Sequence, residues 1–181
     1  MLFWTTDEYK RFIVEMMDKP VSFCAFKVLY WCGIRFGELL ALTRSDFDLK
    51  KRKLRINKSL QRIHGKDIIT PPKIVNSYRT IDIPEFLADE LYTYFKSLYG
   101  LKDDDRVFPI TKSYLHHEIN RGSKAAGVKR IRIHDLRHPY VKHTTKKYNS
   151  EKQKTQATKM NLIAWVFRFC TFNYSKRSWT L

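Results

Sequence analysis

The sequence predicts an α+β fold: a mainly helical domain that contains a small antiparallel β-sheet. Apolar residues recur at helical spacing before residue 43 and after residue 84, whereas segments 53–57 and 79–83 alternate strictly between polar and apolar side chains. The chain is 43% hydrophobic and 14% aromatic, with only six glycines and six prolines. This composition excludes disorder of the whole chain, and 181 residues suffice for one domain with its own core.

Three helices are predicted before the sheet. Thr6 is a candidate N-cap, because Asp7 and Glu8 follow it and favour the positive end of a helix dipole, and this first helix is expected to run to about Lys19. Pro20 opens a second helix whose residues 21–32 are apolar almost all round, which predicts a buried helix ended by Gly33. Residues 38–42 predict a short third helix.

The two alternating segments predict an antiparallel sheet inserted between the helices. Residues 64–67 (His-Gly-Lys-Asp) predict a turn between them, and Pro71 and Pro72 predict a break. Pro84 starts a further amphipathic helix that Gly100 stops. One more helix is expected at about 112–126.

The charge of the chain makes nucleic acid the leading partner. There are 35 Lys and Arg residues against 18 Asp and Glu residues, so the net charge is +17, and segment 129–181 alone carries 13 basic and two acidic side chains. An anionic membrane surface is the weaker alternative, because the basic stretch shows no sustained amphipathic period. A basic RNA-associated structural protein is a further alternative, but no motif of the common RNA-binding modules supports it.

The sequence does not predict export, membrane insertion or a metal site. Asp7 and Glu8 stand where a signal peptide needs an apolar run, and no window of the chain approaches eighteen apolar residues, so we expect a cytoplasmic protein. The three cysteines show no CxxC spacing. The histidines outside the motif described below have no partners at ligand spacing; they are His64, His116, His117 and His143.

Two basic residues lie in local settings that suit anion binding. Arg35 stands between Gly33 and Gly37 at a junction of two helices, where its planar fork can grip two phosphate oxygens. Lys73 follows Pro71 and Pro72 beside the second strand, where it can reach an anionic substrate and donate a proton. The structural alternative for Arg35 is a solvated arginine in a helix connector. The structural alternative for Lys73 is an ordinary surface lysine of a basic protein.

A third candidate is the segment His134-Asp135-Leu136-Arg137-His138. His134 and Arg137 are three residues apart and therefore share a helix face, so that an acid/base group and a fixed cation can converge on one atom. The structural alternative makes His134 a cap and pairs Arg137 with Asp135 or Glu38. Glu38 is also a candidate for holding Arg35 or Arg137 in place.

Together these segments resemble the catalytic domain of the tyrosine recombinases, in particular the integrases of phages and conjugative transposons. The resemblance covers about residues 1–138. It rests on four segments in order: Phe3-Trp4-Thr5, residues 33–42 (GIRFGELLAL), residues 70–84 with Lys73, and residues 133–138 (IHDLRH). Because the chain starts where catalytic domains of this family start, we expect the preceding DNA-binding domains to be missing.

The resemblance implies DNA strand exchange without a metal or nucleotide cofactor. A tyrosine hydroxyl attacks the scissile phosphate, which forms a 3′-phosphotyrosyl link and releases a 5′-hydroxyl. Arg35 and Arg137 would stabilise the transition state, Lys73 would protonate the leaving 5′ oxygen, and His134 would act as a hydrogen-bonding acid/base. The implied partners are double-stranded DNA and other recombinase protomers, with no membrane and no small-molecule substrate.

The sequence departs from this family after His138. Pro139 follows directly, and residues 142–161 contain no aliphatic core residue apart from Ala157 and Met160, which predicts a solvated helix or a disordered segment. We therefore divide the chain into a catalytic domain, 1–138, and a divergent basic tail, 139–181. A frameshift or gene rearrangement soon after His138 would explain the change.

Because of this departure, the sequence leaves more than one candidate for the nucleophilic tyrosine. Trp165 and Tyr174 are nine residues apart, a spacing similar to that of the family, so Tyr174 is the first candidate, ahead of Tyr140 and Tyr148. The sequence accordingly predicts either a recombinase catalytic domain or a DNA-binding remnant of an integrase that lacks a competent nucleophile.

Overall fold

The predicted α+β architecture is confirmed by a computed structural model, which describes residues 3–71 and 78–137. All of these residues belong to the first of two units into which the chain divides, Met1–Thr145. The predicted boundary after His138 lies outside the described residues. Among the described residues, no helix is both long and apolar enough to cross a membrane.

The first helix, α1 (Thr6–Val14), is shorter than predicted, and its N-cap is Thr5 rather than Thr6. The Thr5 hydroxyl accepts a hydrogen bond from the Glu8 N–H (3.2 Å), and the Glu8 carboxylate accepts one from the Thr5 N–H (2.7 Å). This reciprocal capping box requires a spacing of three residues, which Thr5 and Glu8 have. The helix cannot continue to Lys19, because a residue before proline is pushed out of the helical region, and Lys19 has φ −128° and ψ 87°.

The second helix, α2 (Pro20–Cys32), lies in the core as predicted. Most of its side chains are buried, including Phe26 and Leu29. Gly33 ends the helix with φ 59°, the left-handed conformation that glycine adopts without strain. The third helix, α3 (Phe36–Ala41), starts two residues earlier than predicted, with Arg35 as its N-cap.

Five strands occur among residues 3–71 and 78–137: β1 (Phe47–Asp48), β2 (Lys53–Ile56), β3 (Ser59–Ile63), β4 (Lys66–Thr70) and β5 (Arg79–Asp82). The two predicted strands are β2 and β5, which pair antiparallel with Leu54 opposite Ile81. Strand β1 pairs on the other edge of β2, so the order of this sheet is β1-β2-β5.

A separate antiparallel hairpin, β3–β4, was not predicted. The expected turn at 64–67 is a tighter two-residue turn, because His64 and Gly65 both have positive φ angles (47° and 78°), while Lys66 and Asp67 already belong to β4. Positive φ at both central residues is the backbone geometry of the two-residue turns that match strand twist. The hairpin packs against α3 through Leu60, which is 3% exposed.

The remaining helices enclose the core around α2. They are α4 (Glu85–Ser97), α5 (Lys112–Ala125) and a 3₁₀ turn at Ile133–Arg137. Helix α5 approaches α1 closely at Gly122, where an added Cβ would lie 2.7 Å from the Phe12 Cε2 atom. The Trp4 indole donates a hydrogen bond to the Lys129 carbonyl (2.7 Å), which ties the start of the described chain to the segment before the 3₁₀ turn.

Helices α2 and α4 are also joined by a buried ion pair. The Lys27 ammonium contacts both carboxylate oxygens of Glu90, with a distance of 2.6 Å to Oε2, and lies over the ring of Phe23. Burial raises the pKa of Glu90 above its ordinary value, although the charge of Lys27 opposes this effect. This ion pair therefore fixes how α2 and α4 pack against each other, and removing its two charges from water costs desolvation energy.

Candidate active site

Arg35 is the N-cap of α3 and lies two residues after Gly33, the αL glycine that ends α2. Its backbone N–H donates to Glu38 Oε2 (2.7 Å), and its Nη1 donates to Glu38 Oε1 (3.1 Å). The side chain is 56% exposed. The sequence Gly-Ile-Arg-Phe-Gly-Glu thus places an exposed guanidinium at a fixed helix terminus, held by the third residue of that helix.

Arg137 reaches the same junction from the other end of the described chain. Its Nε donates to the Gly33 carbonyl at 2.7 Å, two residues before Arg35. Burial lowers the pKa of Arg137 below its ordinary value, the charges of Arg35 and Arg79 lower it further, and Glu38 opposes the shift. Because Gly33 is two residues before Arg35, this hydrogen bond brings Arg137 to the helix junction at which Arg35 lies.

Glu38 is the carboxylate at the centre of this cluster and is only 4% exposed. Burial disfavours its charged form, but hydrogen bonds from Arg79 and from the Arg35 N–H outweigh it, so the pKa of Glu38 lies below its ordinary value. Two guanidiniums, those of Arg35 and Arg79, therefore hold one ionised carboxylate, and the guanidinium of Arg137 lies at the nearby Gly33 carbonyl. The excess positive charge, partly exposed at Arg35, suits an anion with several oxygens, such as a phosphate.

His134 lies in the same 3₁₀ turn as Arg137. Residues three apart are eclipsed in a 3₁₀ helix, so the two positions share one side of this turn. His134 is exposed and Arg137 is half-buried. Asp135 accepts hydrogen bonds from the Arg132 guanidinium at 3.0 and 3.1 Å, and the structure does not use it as the anchor of Arg137 that the structural alternative suggested.

The structure brings two of the five predicted site residues together, Arg35 and Arg137, and places a third, His134, one 3₁₀ turn before Arg137. The predicted role of Glu38 toward Arg35 is matched by direct hydrogen bonds. The other two predicted site residues, Lys73 and Tyr174, lie outside the described residues. So do the alternative nucleophiles Tyr140 and Tyr148.

Comparison with known protein families shows which family the chain matches. A model of the phage integrase family matches residues 3–150. The chain belongs to the phage integrase family. The resemblance to tyrosine recombinases seen in the sequence is thereby confirmed.

Relatives within this family come from phages and bacterial mobile elements. The chain is 29% identical over 155 residues to the ICEBs1 integrase of Bacillus subtilis, a match that covers 78% of this chain and 42% of the relative. It is 30% identical over 120 residues to the integrase of Mycobacterium phage L5, which covers 61% of this chain and 32% of the relative. The chain therefore spans less than half the length of these two relatives.

Solved structures share the fold. The Tn1549 transposon integrase in complex with transposon right end DNA has a TM-score of 0.66 and 19% identity, with 82% of this chain and 55% of that chain covered. The XerA recombinase has a TM-score of 0.61 and 23% identity, with 77% of this chain and 47% of that chain covered. At these identities the likeness concerns the fold.

The sequence analysis of this integrase-family chain missed Arg79 as a site residue. Arg79 donates to both oxygens of Glu38, from Nη1 to Oε1 (3.0 Å) and from Nη2 to Oε2 (2.7 Å). A signal was present: Arg79 has the same phase as Ile81 in an alternating strand, so it lies on the inward side. A charged residue in an inward phase requires a carboxylate partner.

Proposed function

We propose that this chain is the catalytic part of a site-specific DNA recombinase that cleaves and rejoins DNA through a 3′-phosphotyrosyl intermediate. The observation that carries the proposal is that Arg35, bonded to Glu38, and Arg137, bonded to the Gly33 carbonyl, meet at the junction between α2 and α3. Two guanidiniums at one point match the charge that develops on the oxygens of a phosphate in transfer.

The reaction follows from the residues that the family pattern brings to this point. A tyrosine Oη forms a bond to the scissile phosphorus as the bond from phosphorus to the 5′ oxygen breaks, and Lys73 protonates that leaving oxygen. Arg35 and Arg137 hold the non-bridging oxygens, and His134, the acid/base group, accepts the proton that the tyrosine hydroxyl loses. Because one phosphodiester-type bond replaces another, the exchange needs no nucleotide hydrolysis.

Double-stranded DNA is the substrate in this proposal, and other recombinase protomers are the partners on it. The net charge of +17 supports a polyanionic partner. The family relatives include a transposon integrase described in complex with transposon DNA and a lambda integrase dimer bound to a core site. We place the protein in the cytoplasm of a bacterium or phage-infected cell, where its DNA would be.

The test is covalent capture of DNA. The full chain is incubated with a library of nicked duplexes whose central sequence is randomised, and protein–DNA adducts that resist denaturation are isolated. We expect an adduct that is lost in Tyr174→Phe and retained in Tyr148→Phe. An adduct retained in Tyr174→Phe would overturn the assignment of the nucleophile.

The second candidate function is an inactive DNA-binding remnant. The departure of residues 139–161 from the family pattern favours it, because a lysine-rich run stands where the family has apolar helices. The same experiment separates the two: salt-sensitive DNA binding without any adduct supports the remnant and overturns strand cleavage. Translation of the other reading frames after codon 138 tests the frameshift, which fails if neither frame gives an apolar helix, a Gly-His or Gly-Trp pair and a tyrosine.

A further inference from the structure

Arg79 lies in a partly buried position, where a charged side chain is unfavourable unless it has a partner of opposite charge. It begins β5, in register with Ile56 of β2, and its side chain is 30% exposed. Both of its terminal nitrogens contact Glu38, one on each carboxylate oxygen, at 3.0 and 2.7 Å. This two-point contact fixes the plane of the carboxylate as well as its position.

Glu38 shares its two oxygens between Arg79 and Arg35. Oε1 accepts from Arg35 Nη1 (3.1 Å) and Oε2 accepts from the Arg35 backbone N–H (2.7 Å). Because Arg79 holds both oxygens from the β5 side, Glu38 receives a single guanidinium nitrogen from Arg35. The other N–H groups of Arg35 remain on a side chain that is 56% exposed.

Without Arg79, the arrangement at Glu38 would change in a defined way. The buried carboxylate would lose its two-point partner, and the nearest guanidinium that can replace it is that of Arg35. Arg35 would then turn both terminal nitrogens toward Glu38 and away from the exposed side. The net positive charge of the cluster would also fall by one.

We propose that Arg79 is a positioning residue of the active site: it holds Glu38 by both oxygens, so that Glu38 orients Arg35 through one nitrogen and leaves the rest of its guanidinium to the scissile phosphate. The proposal rests on the function proposed above. A lysine cannot replace Arg79, since one ammonium does not span two carboxylate oxygens with fixed geometry.

A measurement without DNA tests the structural half of the proposal. In protein labelled with ¹⁵N-arginine, the Nε–Hε signal of Arg35 is assigned by its absence in Arg35→Lys. We expect Arg79→Ala, or Arg79→Gln as the variant with less change in volume, to displace this signal. The matched control Arg55→Ala, on the neighbouring strand β2, should leave it in place. An unchanged Arg35 signal in a folded Arg79 variant overturns the proposal.

A double-mutant cycle on adduct formation tests the catalytic half. At saturating DNA we expect Arg79→Ala to lower the single-turnover rate by about 10- to 100-fold with little change in the dissociation constant, and Arg79→Lys to recover little of the rate. In a Glu38→Gln background the same substitution should have little further effect, because Arg79 acts through Glu38.

The outcomes separate this proposal from the proposed function. Equal effects of Arg79→Ala in both backgrounds would mean that Arg79 acts independently of Glu38, and would overturn the proposal while strand cleavage stands. Absence of an adduct with the unmodified chain would overturn strand cleavage, and the Arg35 signal would still decide whether Arg79 positions Arg35.

Discussion

Arg35 is the residue through which the proposed chemistry is tested with least disturbance of the fold. Its side chain is half-exposed and, among the described residues, forms its hydrogen bond with Glu38, whereas the side chain of Arg137 is less exposed and bonds to the Gly33 carbonyl of the backbone. We expect Arg35→Ala to lower the rate of adduct formation by about 10²- to 10³-fold, because one contact to a transition-state oxygen has this effect in enzymes.

The measurement is single-turnover adduct formation together with DNA affinity by fluorescence anisotropy. Affinity should change little, since most of it comes from distributed phosphate contacts. Arg55→Ala is the matched control and should keep both values. A loss of affinity in Arg35→Ala as large as the loss of rate would contradict the role of Arg35 in the transition state.

Glu38 predicts a pH dependence of stability at the site. Its pKa in the folded protein is below the unfolded value of about 4.3, so its contribution is present above that pH and is lost as the pH falls through the lower folded pKa. We expect Glu38→Gln to reduce the free energy of unfolding by about 1–3 kcal/mol at neutral pH, because the guanidiniums of Arg35 and Arg79 lose their ionised partner.

Urea unfolding from pH 7 to pH 2 measures this effect. The difference between Glu38→Gln and the unmodified chain should shrink as the pH falls below about 4. Glu85→Gln, a substitution at a side chain that is 79% exposed, serves as the control and should show no such trend. A difference that stays constant across the range would contradict the ionised state of Glu38.

The sequence predicts a candidate site residue where neighbouring residues contain the whole signal. Arg35 and Arg137 stand in short motifs, and the structure places both at one helix junction, while their catalytic role stays a prediction. Arg79 was missed because its role depends on Glu38, 41 residues away, and no local spacing joins the two. The sequence signal for a buried partner was that Arg79 lies on the same face of its strand as the buried Ile81.

At the scale of elements, Gly37 controls how the β3–β4 hairpin packs on α3. An added Cβ would lie 2.6 Å from Ser59 Oγ and 3.0 Å from the Leu60 carbonyl oxygen. We expect Gly37→Ala to destabilise the protein by about 1–3 kcal/mol, since the hairpin must move. Thermal unfolding measures the loss, and Ser59→Ala should restore part of it. A double variant whose loss of stability equals the sum of the losses of the two single variants would contradict a close contact between positions 37 and 59.

The Lys27–Glu90 pair predicts a different response, because both partners are buried in the contact between α2 and α4. We expect Lys27→Met alone to cost about 3–5 kcal/mol, since it leaves an unpaired buried carboxylate. The double variant Lys27→Met with Glu90→Leu should recover most of that loss, as measured by urea unfolding. A double variant as unstable as the sum of both single variants would contradict this account.

Helices and strands were predicted well where at least one face of the element is apolar, and they were predicted poorly where no face is apolar. Helices α2, α4 and α5 were found within one or two residues, because their apolar residues or end signals are explicit in the sequence. The hairpin β3–β4 was missed because every residue of β4 up to Ile69 is exposed, so its sequence shows no inward phase. Its pairing is set by the turn at His64 and Gly65 and by contact with α3.

At the scale of the whole molecule, the net charge predicts how the proposed DNA partner is bound. With a net charge of +17, we expect DNA affinity to fall steeply with salt, by about 10³- to 10⁵-fold between 50 and 200 mM if six to ten phosphates are contacted. Anisotropy titrations with a duplex of random sequence measure this slope. An affinity that is independent of salt would contradict binding through the phosphate backbone.

The family of the whole chain was predictable because four short segments occur in the order that the family requires. The nucleophile was not, because the first candidate, Tyr174, lies beyond residues 3–150, the part of the chain that the family model matches. The proposed phosphate site depends on described residues, whereas the choice between an active recombinase and a remnant depends on the tail.

The central claim is that Arg35 and Arg137 hold one DNA phosphate between them. The most direct measurement is an experimental structure of the full chain bound to a nicked duplex recovered from the capture experiment. We predict that guanidinium nitrogens of both residues lie within about 3.2 Å of non-bridging oxygens of the same phosphate. A complex in which the two arginines contact different phosphates, or in which either one points away from the DNA, would contradict the account.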